Sequence, residues 1–275
     1  ILEFYLHIGE KRSVNQKFSR EKLIAIKKEI FDEIISKNGK LVPEVVQEIF
    51  AKHGIEADLG NMKVKRVNIY EIVKSIADRF KFPLPKIVVS NTMVPNAAAS
   101  GPSPKRGLVL ITTGLLVQLE EAEIVSVLGH EFGHLRGRDP LILYGLTSAE
   151  FLFRFYVLFP LLPLLFSTFL FFVYFWGVMV VIFFIAKFFE ARADLVSAMM
   201  IGQPTVLANS LEKIGFQRLL YERTPSFRVQ EWLGLDPHPP IYFRVDRLEK
   251  LSPEKIKHPL IQSIKDVTSG FIASL

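Results

Sequence analysis

From Phe155 to Ala186 the chain runs for 32 residues without a charge. A helix crossing the hydrocarbon core of a bilayer needs about 20 apolar residues, so the stretch exceeds a single span. The segment ahead of it, Leu141 to Phe153, adds only Glu150, and Arg154 follows that carboxylate by four positions. At that spacing the two side chains share a helix face and neutralise one another, which lowers the cost of burying either. Two spans result, 141–161 and 166–187, with Pro160, Pro163 and Ser167-Thr168 near the turn. A soluble helix pair would keep a polar face for water, and none is left here. Composition agrees, since 13 of the 24 Phe fall between 151 and 189. A purely soluble fold and intrinsic disorder are both excluded. Arg136, Arg138, Lys187 and Arg192 flank the outer ends of this transmembrane hairpin, while the turn has no positive charge. The positive-inside rule then puts both ends in the cytoplasm of a multi-pass protein of the cell membrane.

The rest of the 275-residue chain mixes helices with a few strands. Before the hairpin, 1–68 is expected to be helical, with Ile1 to Ile8 read as the remnant of a preceding span. One helix starts at Ser19, puts Leu23, Ile26, Ile30 and Ile34 on one face, and stops at Asn38-Gly39. A second opens at Pro43 and ends near His53-Gly54, and a third runs from Ile69 to Phe80. Ile87-Val88-Val89 and Leu108 to Ile111 have the β-branched texture of short strands. Glu120 to Arg138 reads as a helix, with Asp139-Pro140 as cap and first position of the next. The expected division is therefore 1–68, a part 69–140 ahead of the hairpin, the hairpin 141–187 and a part 188–275 after it. With no Cys, the chain has no disulfide, thiol nucleophile or thiolate metal ligand. Its net charge of +6 suits an anionic partner. The positive residues largely bracket the hairpin, with no interleaved basic and aromatic motif, so the bilayer is the expected partner and nucleic acid is not.

Chemistry enters with His130-Glu131-Phe132-Gly133-His134. Residues four apart on a helix face the same way, so both imidazoles can reach one metal ion. Glu131 sits beside them, placed to take a proton from the attacking water. A catalytic zinc usually has three protein ligands. One scheme supplies the third as a histidine six residues after the second, but that position is Pro140. The better candidate is Glu190, in Glu190-Ala-Arg-Ala-Asp194, directly after the second span. If Glu190 joins His130 and His134, the intervening chain must cross the membrane an even number of times, and the length count gives two. Asp194, one turn beyond Glu190, is placed to orient a liganding histidine. Glu150 is a rival third ligand, but it lies inside the first span with Arg154 as its partner.

Taken together the residues resemble peptidase family M48, membrane zinc metalloproteases that include the HtpX heat-shock proteases and the CAAX prenyl proteases. Four matches in order carry the resemblance: Asn96-Ala97-Ala98, His130 to His134, Glu190 to Asp194, and His238-Pro239-Pro240 followed by Arg244. The number of spans places the chain closer to HtpX. The resemblance implies an α+β, mostly helical, zincin-like (gluzincin) domain with a small β-sheet and the hairpin inserted between the two metal-binding helices. It implies one Zn2+ held by His130, His134 and Glu190, with Glu131 as general base and Asp194 supporting a ligand from behind. It further implies that His238 and Arg244 stabilise the oxyanion, and that Asn96, Ala97 and Ala98 form an edge strand binding substrate backbone. Ala98 stands where an aromatic is common in the family, which suggests a roomier subsite. The expected reaction is peptide-bond hydrolysis on protein or peptide substrates, membrane proteins among them, in quality control or stress response. The alternative is an inactive, zinc-stabilised membrane protein that only binds peptides. An intact Glu131 argues against it, because a structural metal site needs no base.

Overall fold

A computed structural model describes residues 42–55, 67–92, 94–161, 168–222 and 225–275, with scattered positions between 25 and 36. The expected remnant at 1–8, the limits of the first helix and the tip of the hairpin lie outside these residues. The chain divides into two compact units, Ile1–Val67 and Asn68–Leu275. In the first, helix α1 (Pro43–Lys52) starts at a proline that presets its first turn and buries Val46, Ile49 and Phe50. Glu29 accepts from Lys52 at 3.3 Å and pairs with His53 at 2.8 Å.

The second unit begins with α2 (Ile69–Phe80), whose Asn68 side chain caps the Glu71 amide and whose apolar face buries Ile72, Val73, Ile76 and Phe80. Three short strands follow, β1 (Lys86–Ser90), β2 (Ala97–Ser100) and β3 (Leu108–Thr112). They form a mixed sheet in the order β1-β3-β2, with β1 parallel and β2 antiparallel to β3. Val109 and Ile111 are fully buried at alternate positions of the central strand. β2 is therefore an edge. A short helix α3 (Thr113–Gln118) leads into α4 (Glu121–Gly137), which opens with a reciprocal capping box between Glu120 and Glu123.

Arg138 ends α4 in the left-handed conformation, with φ of 55°, and turns the chain at once into α5 (Asp139–Phe153). A π-helical turn, Arg154–Leu158, extends it. After the turn, α6 (Thr168–Ile201) runs unbroken for 34 residues, about 50 Å at 1.5 Å per residue. Helices α7 (Pro204–Glu222), α8 (Pro225–Leu233), α9 (Ile241–Glu249) and α10 (Pro259–Ile272) complete the unit. The protein is thus mostly helical with one small mixed sheet. Two helical stretches, Asp139–Leu161 and Phe169–Ile201, are long and apolar enough to cross a membrane.

Candidate metal centre

Small residues set where the centre forms. A Cβ on Gly133 would lie 3.0 Å from the Cα of Ala193, and one on Gly129 would lie 2.6 Å from Ile201. Only glycine lets the α4 backbone approach α6 this closely. Gly133 lies between the two histidines and Ala193 between Glu190 and Asp194, so the closest approach of the helices is also where the ligands meet.

There, His130 Nε2 lies 3.3 Å from one Glu190 carboxylate oxygen and His134 Nε2 lies 3.1 Å from the other. The two Nε2 atoms are 3.1 Å apart. Tetrahedral zinc with bonds of about 2.0–2.1 Å separates its donor atoms by roughly 3.3–3.4 Å, and each imidazole nitrogen stands near that spacing from the other and from one of the two Glu190 oxygens. These three residues are the group able to hold a metal ion among the described residues. Each ring is turned inward by a carboxylate behind it. His130 Nδ1 is 2.8 Å from Asp194, and His134 Nδ1 is 2.8 Å from Asp139. Both Nδ1 atoms are thereby engaged and both Nε2 lone pairs are left for a cation.

The electrostatics point the same way. Burial opposes a charged imidazole at His134, yet Glu190 and Asp139 hold its pKa well above the ordinary value. His130 is also raised, through Asp194 and Glu190, against its burial. The pocket therefore favours positive charge at the point the two Nε2 atoms face. Glu131 is buried too, and burial pushes its carboxyl pKa up although both histidines pull it down. The backbone amide of Ala99 on β2 reaches that carboxylate, which places the edge strand beside it. Asn96 is held at the start of the strand, its amide donating to Thr112 Oγ1 at 2.8 Å. Ala98 is exposed and Ala97 half-buried along the same edge.

His238 and Arg244 reach the cluster from the far part of the chain. His238 Nδ1 lies 2.7 Å from Glu190, and its side chain is 46% exposed. Arg244 is buried and gives Nε and Nη2 to the two Asp194 oxygens at 2.9 and 2.7 Å. Its Nη1 stands 3.8 Å from Glu190. His130, His134, Glu190, Asp194, His238 and Arg244 thus converge on one place, with Arg244 behind Asp194 and His238 partly open to solvent, while the contact of β2 with Glu131 comes from Ala99 and not from Asn96, Ala97 or Ala98.

Several supporting residues were not legible beforehand. Asp139, expected as a helix cap, is instead the first residue of α5 behind Arg138; its side chain orients His134 and is itself bonded by Arg192. The loop carrying His238 is fastened from three sides. Lys187, fully buried, donates to the carbonyls of Gly234 and Asp236. Asp236 accepts the His238 amide at 2.8 Å and Arg218 at 2.6 Å. Arg218 also binds Glu231 and the buried Glu222, and Glu222 caps α9 by accepting the Ile241 and Tyr242 amides at 2.9 Å each.

A helical domain that brings two histidines of one helix to a glutamate of another, with a second glutamate alongside, defines the metallopeptidase class. Residues 64–252 match the model of peptidase family M48, which is more than half of the chain. The chain belongs to peptidase family M48. It is 29% identical over 225 residues to a protein of Methanosarcina acetivorans called Protease HtpX homolog 2, covering 68% of this chain and 73% of that protein. A Protease HtpX homolog of Gemmatimonas aurantiaca is 27% identical over 219 residues, covering 67% and 75% of the two chains. A shorter stretch of 74 residues is 42% identical to a Protease HtpX homolog of Thermodesulfovibrio yellowstonii and covers only 26% of that protein. The HtpX-like resemblance carried by the motifs is borne out.

Proposed function

We propose that the protein is a membrane-embedded, zinc-dependent endopeptidase that cleaves membrane-associated protein substrates in quality control or stress response. The observation that carries this reading is the convergence of His130 Nε2, His134 Nε2 and the Glu190 carboxylate at coordination spacing, with Glu131 alongside. Two imidazoles and a carboxylate without a thiolate suit Zn2+. Bound there, the ion supplies Lewis acidity toward water and the scissile carbonyl.

The chain's own residues account for the other requirements. Glu131 takes the proton of the attacking water as the oxygen adds to the carbonyl carbon, then passes it to the amine as the C–N bond breaks. Its raised pKa suits a carboxyl that must both accept and return a proton. An extended peptide adding to β2 at Asn96, Ala97 and Ala98 would lay its backbone beside that carboxyl, because Ala99 already touches it. His238 is the exposed donor available to the developing oxyanion. Arg244 holds Asp194, and through it His130, in place, while lending positive charge to the centre.

The hairpin sets the substrate class. Only 6% of each apolar window is buried within the protein, which a soluble core helix would not tolerate. Phe151, Phe155, Phe172 and Trp176 all face outward. Inside the hairpin, Glu150 pairs with Arg154 at 3.0 Å and lies 3.5 Å from the Tyr174 hydroxyl, so the two opposite charges neutralise one another. Two crossings return α6 to the cytoplasmic side, where Glu190 follows Lys187 by three residues. The domain divisions at 69–140, 141–187 and 188–275 follow from this insertion. A centre at the bilayer surface favours chains that are themselves anchored there.

Glu131→Gln should keep the metal and abolish casein cleavage by detergent-purified protein, whereas Glu190→Ala should lose both. Cleavage unchanged in Glu131→Gln would sink the enzymatic reading.

A further inference from the structure

The last nine residues, Val267 to Leu275, carry no charge, although nothing so far gives them a role. They form the final turns of α10 and the residues just past it. One face of α10 is inward: Ser263 and Val267 are fully buried, and a Cβ on Gly270 would strike the ring of Phe243 at 2.7 Å. The opposite face carries Ile261, Ile264, Ile272 and Leu275, with Ile272 62% and Leu275 79% exposed.

The depth of this face relative to α6 follows from what the inner face touches. Val267 packs with Ala191 and Trp232. Arg247 ties the same level together, donating to the Ala191 carbonyl and to Asp266, each at 2.7 Å. One turn later, Phe271 meets Phe184 edge to face, with ring centroids 5.4 Å apart. Between Val267 and Phe271 α10 advances about 6 Å, and with the reach of the two Phe rings its contact moves from Ala191 to Phe184, toward the hairpin. The two helices run antiparallel, and the last turn of α10 reaches a level below Lys187, where α6 enters the bilayer. Ile272 and Leu275 are thus continuous with the outward apolar surface of the spanning half of α6.

We propose that the end of α10 dips into the cytoplasmic leaflet, its outer face covered by lipid acyl chains, so that the domain carrying His238 and Arg244 is held to the bilayer independently of the hairpin. Lipid is the occupant that this position selects, because the Phe184 level already lies within the apolar span and residues 267–275 carry no charge. The proposal rests on the membrane reading of the hairpin.

With no native Cys, single-cysteine variants can each carry one environment-sensitive fluorophore without background. The full chain would be labelled at Ile272→Cys, at Phe172→Cys within the hairpin, or at the exposed Lys250→Cys. It would then be placed in phosphatidylcholine–phosphatidylglycerol nanodiscs and quenched with iodide or with doxyl-labelled lipid. The labels at 272 and 172 are expected to be several-fold less sensitive to iodide than the label at 250. Both should be quenched by doxyl lipid, 272 by shallow and 172 by deeper doxyl positions. Iodide quenching at 272 equal to that at 250, with 172 still quenched by lipid, overturns the α10 proposal and leaves the hairpin intact. Shielding at 272 from both quenchers would mean that protein, not lipid, covers this face, and also overturns it. Failure of lipid to quench 172 removes the membrane reading and this proposal together.

Discussion

Helix α6 is continuous, yet its two halves obey opposite rules. Between Phe169 and Val181 it turns bulky side chains outward, with Phe172 64% exposed and Trp176 and Val181 close behind. Between Glu190 and Ser197 it buries nearly everything, and beside Leu195 and Val196 what it buries is small or charged: Ala191, Ala193, Glu190, Asp194 and Ser197. On the proposed membrane reading lipid satisfies the first half, whereas the second is defined by its protein partners. Hydrophobicity therefore places the helix in the molecule, while small residues and paired ions decide what it does. The predictions below set one half against the other.

The largest effect should come at the crossing itself. Gly133→Val puts a branched side chain where a single Cβ would already lie 3.0 Å from Ala193 Cα and 3.1 Å from its carbonyl oxygen. The helices must part, at a cost of about 1–3 kcal/mol or more, and Glu190 leaves the histidines. Metal content and cleavage should both fall below detection. Gly177→Val on the lipid-facing half has open space around it and should leave both unchanged. Equal damage from the two would erase the distinction between the halves.

Asp139→Ala tests a smaller step. Losing the carboxylate behind His134 frees the ring without removing a ligand, and such losses typically lower metal affinity about 10–100-fold. Competition with a chromophoric chelator would measure it. Asp194→Ala should be at least as severe, because Asp194 also holds Arg244. An Asp139→Ala variant with unaltered affinity would reduce that residue to the helix cap it resembles in the sequence.

That misreading shows where sequence legibility ends. The pair His130 and His134, and the step from Glu190 to Asp194, are legible because helical periodicity turns a spacing of four into a shared face. Glu190 joins them through a topological count, since an even number of crossings returns the chain to one side. α2 and the core of α4 were readable from caps and apolar spacing. The parallel pairing of β1 with β3 was not, because a strand order of β1-β3-β2 depends on how the sheet packs and not on where the strands lie in the chain. Asp139 hides because Arg138 takes a left-handed turn that folds the following residue back onto His134. Gly129 and Gly133 look like ordinary helix-weakening residues until Ala193 and Ile201 are seen against them. Arg218, Glu222 and Asp236 form their network across folded distance, and no local pattern announces it.

Asp236→Ala should have an intermediate effect with a different signature. The carboxylate fixes the His238 amide and is held by Arg218, and its pKa lies below the ordinary value, against its burial, because of those partners. A depressed carboxyl pKa means its contribution is full above the unfolded value of about 3.9 and is lost as pH falls through the folded value. The His238 loop should therefore stay fastened across the neutral range, and Asp236 should not shape activity there. Removing it loosens His238, the proposed oxyanion donor, without removing a proposed ligand. We expect kcat to fall roughly tenfold, with metal content and KM little changed. Loss of metal in this variant would place Asp236 among the supports of the centre instead.

The smallest expected change is the most direct test of the lipid-facing half. Phe172→Leu replaces one large apolar side chain by another where the first is mostly exposed. Phe172 lies near Phe171, with ring centroids 6.2 Å apart. In a bilayer the substitution exchanges one lipid contact for a similar one, so thermal stability in nanodiscs should shift by less than about 0.5 kcal/mol. Ala193→Leu also exchanges one apolar side chain of α6 for another, but it adds volume against Gly133, and overpacking there should cost about 1–3 kcal/mol. The pair thus holds the helix and the chemistry of the change nearly constant while varying what lies opposite. If Phe172→Leu destabilised the protein as much as Ala193→Leu, a protein surface would have to cover the Phe172 face, and the two halves of α6 would no longer differ in kind.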